Sequence, residues 1–221
     1  MDKLIDKKII DSWKKNTRPW IKAIERSEIE SRRLVTNKVV VDTILTKKPK
    51  SVLDIGCGEG WLVRELQKVD IDTLGIDIMP EFIEYASKQN KGRFKCLPYS
   101  ELNYDNLKEK FDLLVCNFSL LGQESVEAIF NNSHGLLNNQ GYFIIQTLHP
   151  KMVKTDKSGW QQGSWDGFST EFCEPAPWYF RNTSDWKELY SSNGFSNLQI
   201  IDPINPISHQ PASIIFIGQI N

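Results

Sequence analysis

Residues 51–77 read SVLDIGCGEGWLVRELQKVDIDTLGID, and this stretch decides the fold class of the whole chain. The apolar run 52–55 leads directly into GCGEG at 56–60, and residues 61–68 favour a helix. The pattern predicts a strand, a tight glycine turn and a helix, because glycine permits positive φ and close approach of a ligand. A second apolar run ends in Asp77, where a parallel neighbouring strand would bring a carboxylate to ribose hydroxyls.

The spacing of the glycines separates two classes of cofactor. A dinucleotide fingerprint has the form G-x-G-x-x-G, whereas here Gly60 comes one residue early and Trp61 fills the expected position. A nicotinamide-dependent oxidoreductase is therefore disfavoured and is kept as the alternative. VLDIGCGEG, followed by an acidic strand end, resembles motif I of the class I S-adenosylmethionine-dependent methyltransferases. The segment IESRRLVTNKVVVDTIL at 29–45 and the runs GSWDGF at 163–168 and PAPWYFR at 175–181 resemble a bacterial subgroup of small-molecule type.

This resemblance implies an α/β, Rossmann-like fold with a seven-stranded, mostly parallel sheet, an antiparallel C-terminal strand and flanking helices. It implies S-adenosyl-L-methionine as cofactor and S-adenosyl-L-homocysteine as product, with in-line transfer of a methyl group to an O, N or C atom and no metal. A protein that binds this cofactor without catalysis is a further alternative. The predicted cofactor-binding residues are Asp54, Gly56, Cys57, Gly58, Gly60, Asp77, Ile78, Pro98, Tyr99, Asn117, Phe118 and Arg33.

Three parts of that prediction come from further motifs. Tyr99 follows the predicted third strand, where the family places groups near the adenine, and it either stacks there or packs. The run FDLLVCNFSL at 111–120 resembles motif IV, whose strand end lies beside the reacting methyl group. It lacks the Asn/Asp-Pro-Pro-aromatic pattern, which disfavours methylation of base exocyclic amines. In the lead-in, Arg32 or Arg33 could hold the cofactor's carboxylate, with an exposed helix surface as the alternative.

The N-terminal segment is predicted to be helical. We expect a helix over 2–15, an interruption at Pro19, and a capping box at Ser27-x-x-Glu30 that opens a helix to about residue 46. Within that second helix Leu34, Val41 and Leu45 share one face, with Ile44 beside them, and this face is predicted to pack on the sheet.

Beyond the glycine turn, strands and helices alternate as in α/β proteins. The clearest buried strand is 141–148, and the predicted strands 198–202 and 213–219 fit the antiparallel hairpin with which the family closes its sheet. We expect one methyltransferase domain over 1–221, with an N-terminal helical cap (1–47), a cofactor-binding core (48–149), an acceptor-side insert or lid (150–183) and a closing helix and strands (184–221).

The insert is too long for an ordinary connection and is rich in aromatic residues. We predict that it forms a lid over the acceptor, although its aromatic residues could instead form a satellite core. His149, just before the insert, is the best-placed general base, with a structural hydrogen bond to a backbone carbonyl as the alternative. The predicted acceptor-side residues are Trp160, Trp165, Trp178 and Tyr179.

Composition excludes several classes of protein. No run of about eighteen apolar residues is present, and the N-terminus lacks a secretory apolar segment, so we expect a cytoplasmic protein without a membrane partner. The four cysteines form no C-x-x-C pair, which argues against a disulfide framework or a zinc site. The net charge is −1, and although residues 1–50 are basic, nucleic acid is an unlikely partner. The expected partner is a small-molecule acceptor, and the sequence does not indicate an oligomeric state.

Overall fold

The computed structural model describes residues 2–89, 92–153 and 155–220, with side chains from residue 6 onwards, so the predicted boundaries at residues 1 and 221 lie outside it. A π-helical turn (Arg32–Thr36) precedes α2, and a 3-10 turn (Tyr99–Glu101) follows β3. The other elements are α1 (Asp2–Glu25), α2 (Asn37–Thr46), β1 (Ser51–Ile55), α3 (Trp61–Gln67), β2 (Asp72–Asp77), α4 (Pro80–Lys88), β3 (Arg93–Cys96), α5 (Tyr104–Leu107), β4 (Phe111–Asn117), α6 (Glu124–Leu136), β5 (Leu137–Thr147), α7 (Pro150–Val153), β6 (Gly159–Gln161), β7 (Trp178–Phe180), α8 (Thr183–Ser192), β8 (Ser196–Ile201) and β9 (Ile214–Gln219).

Seven strands form one sheet in the order β3-β2-β1-β4-β5-β9-β8. The strands β1 to β5 pair in parallel, whereas β9 runs antiparallel to both of its neighbours, β5 and β8. The predicted seven-stranded, mostly parallel sheet with an antiparallel C-terminal strand is confirmed. Because the strand order reverses between β1 and β4, a crevice at the carboxyl ends of these two strands is the expected ligand site.

The two faces of the sheet carry separate apolar clusters. Val52 and Val115 pack with Val40 and Ile44 of α2 and with α3 on one face. Leu53, Ile55 and Phe143 pack with α6 and α8 on the other face. Side chains alternate along a strand, so residues two positions apart in β1, β4 or β5 lie on the same face of the sheet, and neighbouring residues lie on opposite faces.

The first helix, α1, is continuous through Pro19, so the predicted interruption there is wrong. Proline removes one backbone hydrogen bond and crowds the preceding turn, which usually breaks or kinks a helix. Here aromatic packing on both sides of the proline holds the helix: the ring centroids of Trp13 and Trp20 lie 5.4 Å apart, and Trp13 also contacts Phe82 of α4. Since α1 contacts both α4 and α6, it crosses the carboxyl edge of the sheet.

The second helical segment also differs from its prediction. Ser27 has a left-handed φ of 55°, which is incompatible with the extended conformation of an N-cap, so the predicted capping box is absent. The helix then includes a π-helical turn, in which the Asn37 N–H donates to the Arg32 carbonyl, five residues back. The side chains packed most deeply on the sheet are those of Val40 and Ile44 rather than Val41 and Leu45.

The insert comprises a short helix, a two-stranded ribbon and a loop. The strands β6 and β7 pair antiparallel, and the Tyr179 N–H donates to the Leu121 carbonyl at 2.8 Å, which ties the ribbon to the core. The loop between them is bound to α1 by the buried Asn16, whose amide donates to the Cys173 carbonyl at 2.8 Å and accepts from the Cys173 N–H at 2.9 Å. The insert therefore has two separate attachments.

Candidate functional site

The three glycines of the turn serve different purposes. A Cβ on Gly56 would lie 2.3 Å from the Tyr99 hydroxyl, and one on Gly60 would lie 2.7 Å from Phe94, so packing excludes a side chain at both. A Cβ on Gly58 would meet only Trp20, at 3.9 Å. All three have positive φ, but Gly58 alone combines it with free space, as a ligand-facing position requires.

Asp77 lies at the end of β2, beside the turn, as the sequence predicts. Its Oδ2 accepts a hydrogen bond from the Gly58 N–H at 2.9 Å, and its Oδ1 accepts one from the Met79 N–H at 2.9 Å. Burial raises the pKa of Asp77, and these two N–H groups oppose the rise. Each carboxylate oxygen keeps a further lone pair, so the group can accept two more hydrogen bonds from a ligand.

Two other carboxyl groups lie buried near Asp77. Burial, together with the charges of Asp77 and Glu59, raises the pKa of Asp54 to about 8. Burial also raises the pKa of Glu59, although Arg64 opposes this by donating to Glu59 Oε2 at 2.6 Å. The concentration of acidic groups in a buried site favours a ligand that carries positive charge.

Arg32 contributes a buried guanidinium to the same site. Its Cζ lies 4.9 Å from the ring centroid of Trp61 and 5.7 Å from that of Trp20, within reach of cation–π attraction. Burial lowers the pKa of Arg32 to about 10, while the nearby Glu59 and Asp54 act to raise it. The side chain is thus held between two aromatic rings and directed toward acidic groups.

The predicted site residue in this segment is Arg33, but the structure leaves its side chain exposed and brings Arg32 inside instead. In a regular α-helix a residue eleven positions before Ile44 would share its face, because this interval is about three turns. The π-helical turn lengthens one of these turns and shifts the inward position from Arg33 to Arg32. Of the two arginines that the sequence offers as candidates, the structure therefore brings Arg32, not Arg33, to the buried acidic groups.

Trp20 connects this site to an aromatic cluster outside the sheet. Its ring lies 6.3 Å from that of Phe168 in the insert loop, and Trp13 lies 5.8 Å from Trp165. Of the predicted acceptor-side residues, Trp165 thus contacts Trp13 of α1, and Trp13 in turn contacts Trp20. The cluster comprises Trp13, Trp20, Phe82, Trp165, Phe168 and Phe172.

The other three predicted acceptor-side residues belong to the ribbon. Trp160 and Tyr179 contact each other across its two strands, with ring centroids 5.4 Å apart. Tyr179 also lies 4.9 Å from the guanidinium of Arg181, and Trp178 contacts Phe180. Arg181 donates to the Gly122 and Gln123 carbonyls at the start of α6. The structure therefore does not bring these three residues into the cluster around Trp165.

Tyr99 lies against the turn that follows β4. Its hydroxyl donates to the Ser119 carbonyl at 3.2 Å, and the Ser119 hydroxyl donates to the Ile55 carbonyl at 2.7 Å. Pro98 comes directly before Tyr99, and Ile78 directly follows the acidic end of β2. The structure thus places these residues along the ends of β2 and β3, next to the glycine turn.

Asn117 is the last residue of β4, and Phe118 directly follows it. Asn117 pairs in register with Gln146 of β5, and the Phe118 N–H donates to the Gln146 carbonyl at 2.9 Å. Phe118 has a φ of 54°, an unusual left-handed conformation for an aromatic residue. Such strained positions cluster at functional sites.

His149 already has partners for both ring nitrogens. Its Nδ1 accepts from the Lys151 N–H at 3.1 Å, and its Nε2 lies 3.5 Å from Asp202 Oδ1. Burial lowers the pKa of His149, and Asp202 opposes the shift. Asp202 directly follows β8, which is the far edge strand of the sheet, so these contacts direct the ring away from the glycine turn.

Several buried side-chain atoms without a hydrogen-bond partner belong to the glycine turn, the π-helical turn and the ends of β4 and β5. An unpartnered buried donor or acceptor costs about 1–3 kcal/mol, so several in one place indicate a site completed by a polar ligand. Within the described ranges, the buried side-chain atoms there that find no hydrogen-bond partner are Arg32 Nη2, Thr36 Oγ1, Glu59 Oε1, Asn117 Oδ1 and Gln146 Oε1.

Comparison with known proteins identifies relatives that are similar to this chain in sequence or in fold. A family model described as a methyltransferase domain matches residues 30–200. The bifunctional biotin biosynthesis protein BioHC of Saccharophagus degradans is 23% identical over 126 residues, 52% of this chain and 21% of that protein. Malonyl-[acyl-carrier protein] O-methyltransferase of Legionella pneumophila is 24% identical over 131 residues, 57% of this chain and 46% of that protein. The matches thus span less than half the length of these curated relatives.

A solved structure shares the fold over nearly the whole chain. It is 1,6-didemethyltoxoflavin-N1-methyltransferase of Burkholderia thailandensis with bound 1,6-didemethyltoxoflavin and S-adenosylhomocysteine. The TM-score is 0.64 at 16% identity, and the match covers 93% of this chain and 87% of that one.

Proposed function

This chain belongs to the class I S-adenosylmethionine-dependent methyltransferase family, and we propose that it transfers a methyl group from this cofactor to a small molecule. The observation that carries the proposal is the pair of unpartnered buried atoms beside the glycine turn, Arg32 Nη2 and Glu59 Oε1. The amino-acid end of S-adenosylmethionine is a zwitterion. The carboxylate of this end suits Arg32, and its ammonium suits Glu59 and Asp54. The two charged groups at one end of the ligand would therefore satisfy both Arg32 Nη2 and Glu59 Oε1.

The remaining cofactor residues follow from the strand ends. We assign the ribose hydroxyls to Asp77, the adenine to the surface of Ile78, Pro98 and Tyr99, and the close backbone approach to Gly58. When bound, the cofactor supplies a sulfonium-activated methyl group. The protein then has to align the acceptor and exclude water, which together can lower a barrier by about 7–11 kcal/mol. The aromatic cluster around Trp20 would exclude water from this site.

A small-molecule acceptor is supported by the known acceptor in the fold relative and by a net charge of −1, which gives the chain no basic excess overall. For His149 we propose a structural role, fixing the start of α7, because both of its ring nitrogens are occupied. We also propose that residues 1–221 act as one domain in a bacterial cytoplasm. In the described ranges the four cysteines are unpaired, and no helix is long and apolar enough to cross a membrane.

Thermal unfolding with S-adenosylhomocysteine or NAD tests the ligand class. A ligand present at 100 times its Kd stabilises a protein by about 2.7 kcal/mol, so S-adenosylhomocysteine should raise Tm while NAD leaves it unchanged. Asp77→Ala should weaken S-adenosylhomocysteine binding by about 1–3 kcal/mol, because ribose donors lose their acceptor. A shift with NAD alone would overturn the assignment.

Catalysis is tested separately from binding. The protein is incubated with methyl-labelled S-adenosylmethionine and a protein-free extract of bacterial cells, and label in small molecules is counted. Transfer that disappears in Gly58→Val would support an enzyme. Binding of S-adenosylhomocysteine without any transfer would instead support a protein that binds the cofactor without catalysis.

A further inference from the structure

A row of polar side chains crosses the face of the sheet that α2 covers. On this face Val52, Val115, Ile144 and Ile215 pack in the apolar cluster with α2. Because side chains alternate along a strand, the residue two positions away from each of these lies on the same face. Toward the end of the sheet where β1, β4 and β5 terminate, this residue comes two positions later in β1, β4 and β5 and two positions earlier in the antiparallel chain segment of β9. These residues are Asp54 of β1, Asn117 of β4, Gln146 of β5 and Ser213, which directly precedes β9.

Gln146 and Asn117 are neighbours within this row. They are register partners on adjacent parallel strands, which lie about 4.8 Å apart. Gln146 Nε2 donates to the buried Ser213 hydroxyl at 2.9 Å. Within the described part of the chain, Gln146 Oε1 and Asn117 Oδ1 have no hydrogen-bond partner, although both atoms are buried. Two adjacent carbonyl oxygens therefore lack donors.

These oxygens are distinct from the groups assigned to the cofactor's amino-acid end. Gln146 lies two strands away from Asp54 and one same-face step further along, so their Cα atoms are separated by about 10–12 Å. Arg32 and Glu59, by contrast, lie close enough to Asp54 to shift its pKa. A ligand group other than the zwitterion is needed to satisfy the Gln146 oxygen, and Asn117 is the register partner of Gln146.

We propose that Gln146 and Asn117 anchor the methyl acceptor through a nitrogen that carries at least two hydrogens, as in a primary amine or an amidine. This inference rests on the proposed function. Carbonyl oxygens only accept hydrogen bonds, so they require donors from the ligand. A carboxylate offers none at neutral pH, and a hydroxyl offers one, whereas an amino group supplies a donor to each oxygen.

Access to this anchor requires movement, because Gln146 is only 1% exposed. The helix that covers this face is α2, whose Val40 and Ile44 pack there, and the π-helical turn of Arg32–Thr36 directly precedes it. The same turn carries Arg32, so the cover of this face is continuous in sequence with a residue of the proposed cofactor site.

The test measures binding of matched small probes to the full chain saturated with S-adenosylhomocysteine. One pair of probes is phenethylamine and 3-phenylpropanoate, and the other is butylamine and pentanoate. Within each pair the hydrocarbon part is the same, and an amino group is replaced by a carboxylate. Each amine should bind about tenfold more tightly than its carboxylate partner. Gln146→Met removes the acceptor oxygen at similar size and should abolish this preference, whereas Gln146→Glu keeps an acceptor, adds charge and should preserve it.

The variants separate this proposal from the proposed function. Affinity for S-adenosylhomocysteine should be unchanged in Gln146→Met and Gln146→Glu, because neither change touches Arg32 or Asp77. If the wild-type protein binds S-adenosylhomocysteine but prefers the carboxylates, or binds no amine, the anchor is wrong while the methyltransferase assignment stands. If Gln146→Met lowers Tm but keeps the preference for amines, Gln146 is only structural and the proposal is overturned.

Discussion

The two sides of the carboxyl edge of the sheet differ in how their polar groups are partnered. On the side of β1 and β2, Asp77 is held by two backbone N–H groups, from Gly58 and Met79. On the side of β4 and β5, the described structure provides no partner for Asn117 Oδ1 or Gln146 Oε1. On the first side Asp77 is thus oriented before any ligand binds, although Arg32 Nη2 and Glu59 Oε1 near it also lack partners. On the second side neither amide oxygen is held by a donor.

This difference fits the two substrates of a methyltransferase. The methyl donor is common to the family, so a short local motif suffices to build its site in advance. The acceptor differs among the known proteins to which this chain is similar, and here its proposed site is assembled from β4, β5 and the segment before β9. Changes on the two sides should therefore alter different measurements.

The largest effect should come from the glycine turn. Gly58→Val should abolish detectable binding of S-adenosylhomocysteine, because the side chain occupies the ligand-facing space, while the fold is kept at a cost of about 1–2 kcal/mol for the left-handed φ. Gly60→Ala is the matched control: its Cβ would meet Phe94 and Ala86, so it should cost about 2–5 kcal/mol of stability. Calorimetry and urea unfolding of both variants separate the two effects. A Gly58→Val protein that binds normally would contradict the site.

A smaller effect should appear in the pH dependence of cofactor binding. In the free protein the pKa of Asp54 is about 8, so below that pH the group is largely protonated. A cationic ligand favours the ionised form and lowers this pKa, so binding releases a proton. Affinity for S-adenosylmethionine should rise with pH up to about 8, by at most tenfold per unit, and then level off.

Asp54→Asn is the control for this pH dependence, because the ligand's own amino group also titrates. In this variant, affinity for S-adenosylmethionine should rise less steeply with pH, because the contribution of Asp54 ionisation is lost. Isothermal titration between about pH 6 and pH 9 compares the two proteins. Identical profiles would show that Asp54 does not change ionisation when the cofactor binds.

The smallest effect on the cofactor should come from the attachment of the insert. Asn16→Leu leaves the Cys173 N–H and carbonyl without their partner, so it should cost about 1–3 kcal/mol of stability and speed proteolysis of the loop at 162–177. Lys15→Ala, which removes an exposed ion pair with Glu174, should change little. Affinity for S-adenosylhomocysteine should stay within about threefold in both. A large loss in Asn16→Leu would place the insert in the cofactor site.

The sequence predicted this side of the molecule well, because its motif is local. The approach of Asp77 to the glycine turn follows from consecutive elements and from the parallel pairing of β1 with β2. The choice between Arg32 and Arg33 could not be made in this way. The inward position of Arg32 depends on the π-helical turn, whereas the regular helical period favours Arg33.

Long-range contacts explain the other differences. Pro19 is a typical helix breaker in sequence, whereas in the structure Trp13 and Trp20, on either side of it, pack on each other and on neighbouring segments. The aromatic residues of the insert look alike in sequence, yet Trp165 joins the cluster on α1 while Trp160 stays in the ribbon. The unpartnered Oε1 of Gln146 gives no signal in the sequence. Whether the side-chain oxygen of a glutamine in a buried strand has a hydrogen-bond partner can be seen only once the neighbouring strands are placed.

Binding of S-adenosylhomocysteine to Arg32→Met and Arg33→Met is the most direct test of the site. The two arginines are adjacent and carry the same charge, so the pair isolates the position that the π-helical turn selects. Calorimetry should show affinity lower by about tenfold or more in Arg32→Met, because a charge-assisted hydrogen bond is lost, and nearly unchanged affinity in Arg33→Met. Equal losses in the two variants, or no loss in Arg32→Met with the fold intact, would contradict the assignment of the buried charges to the cofactor.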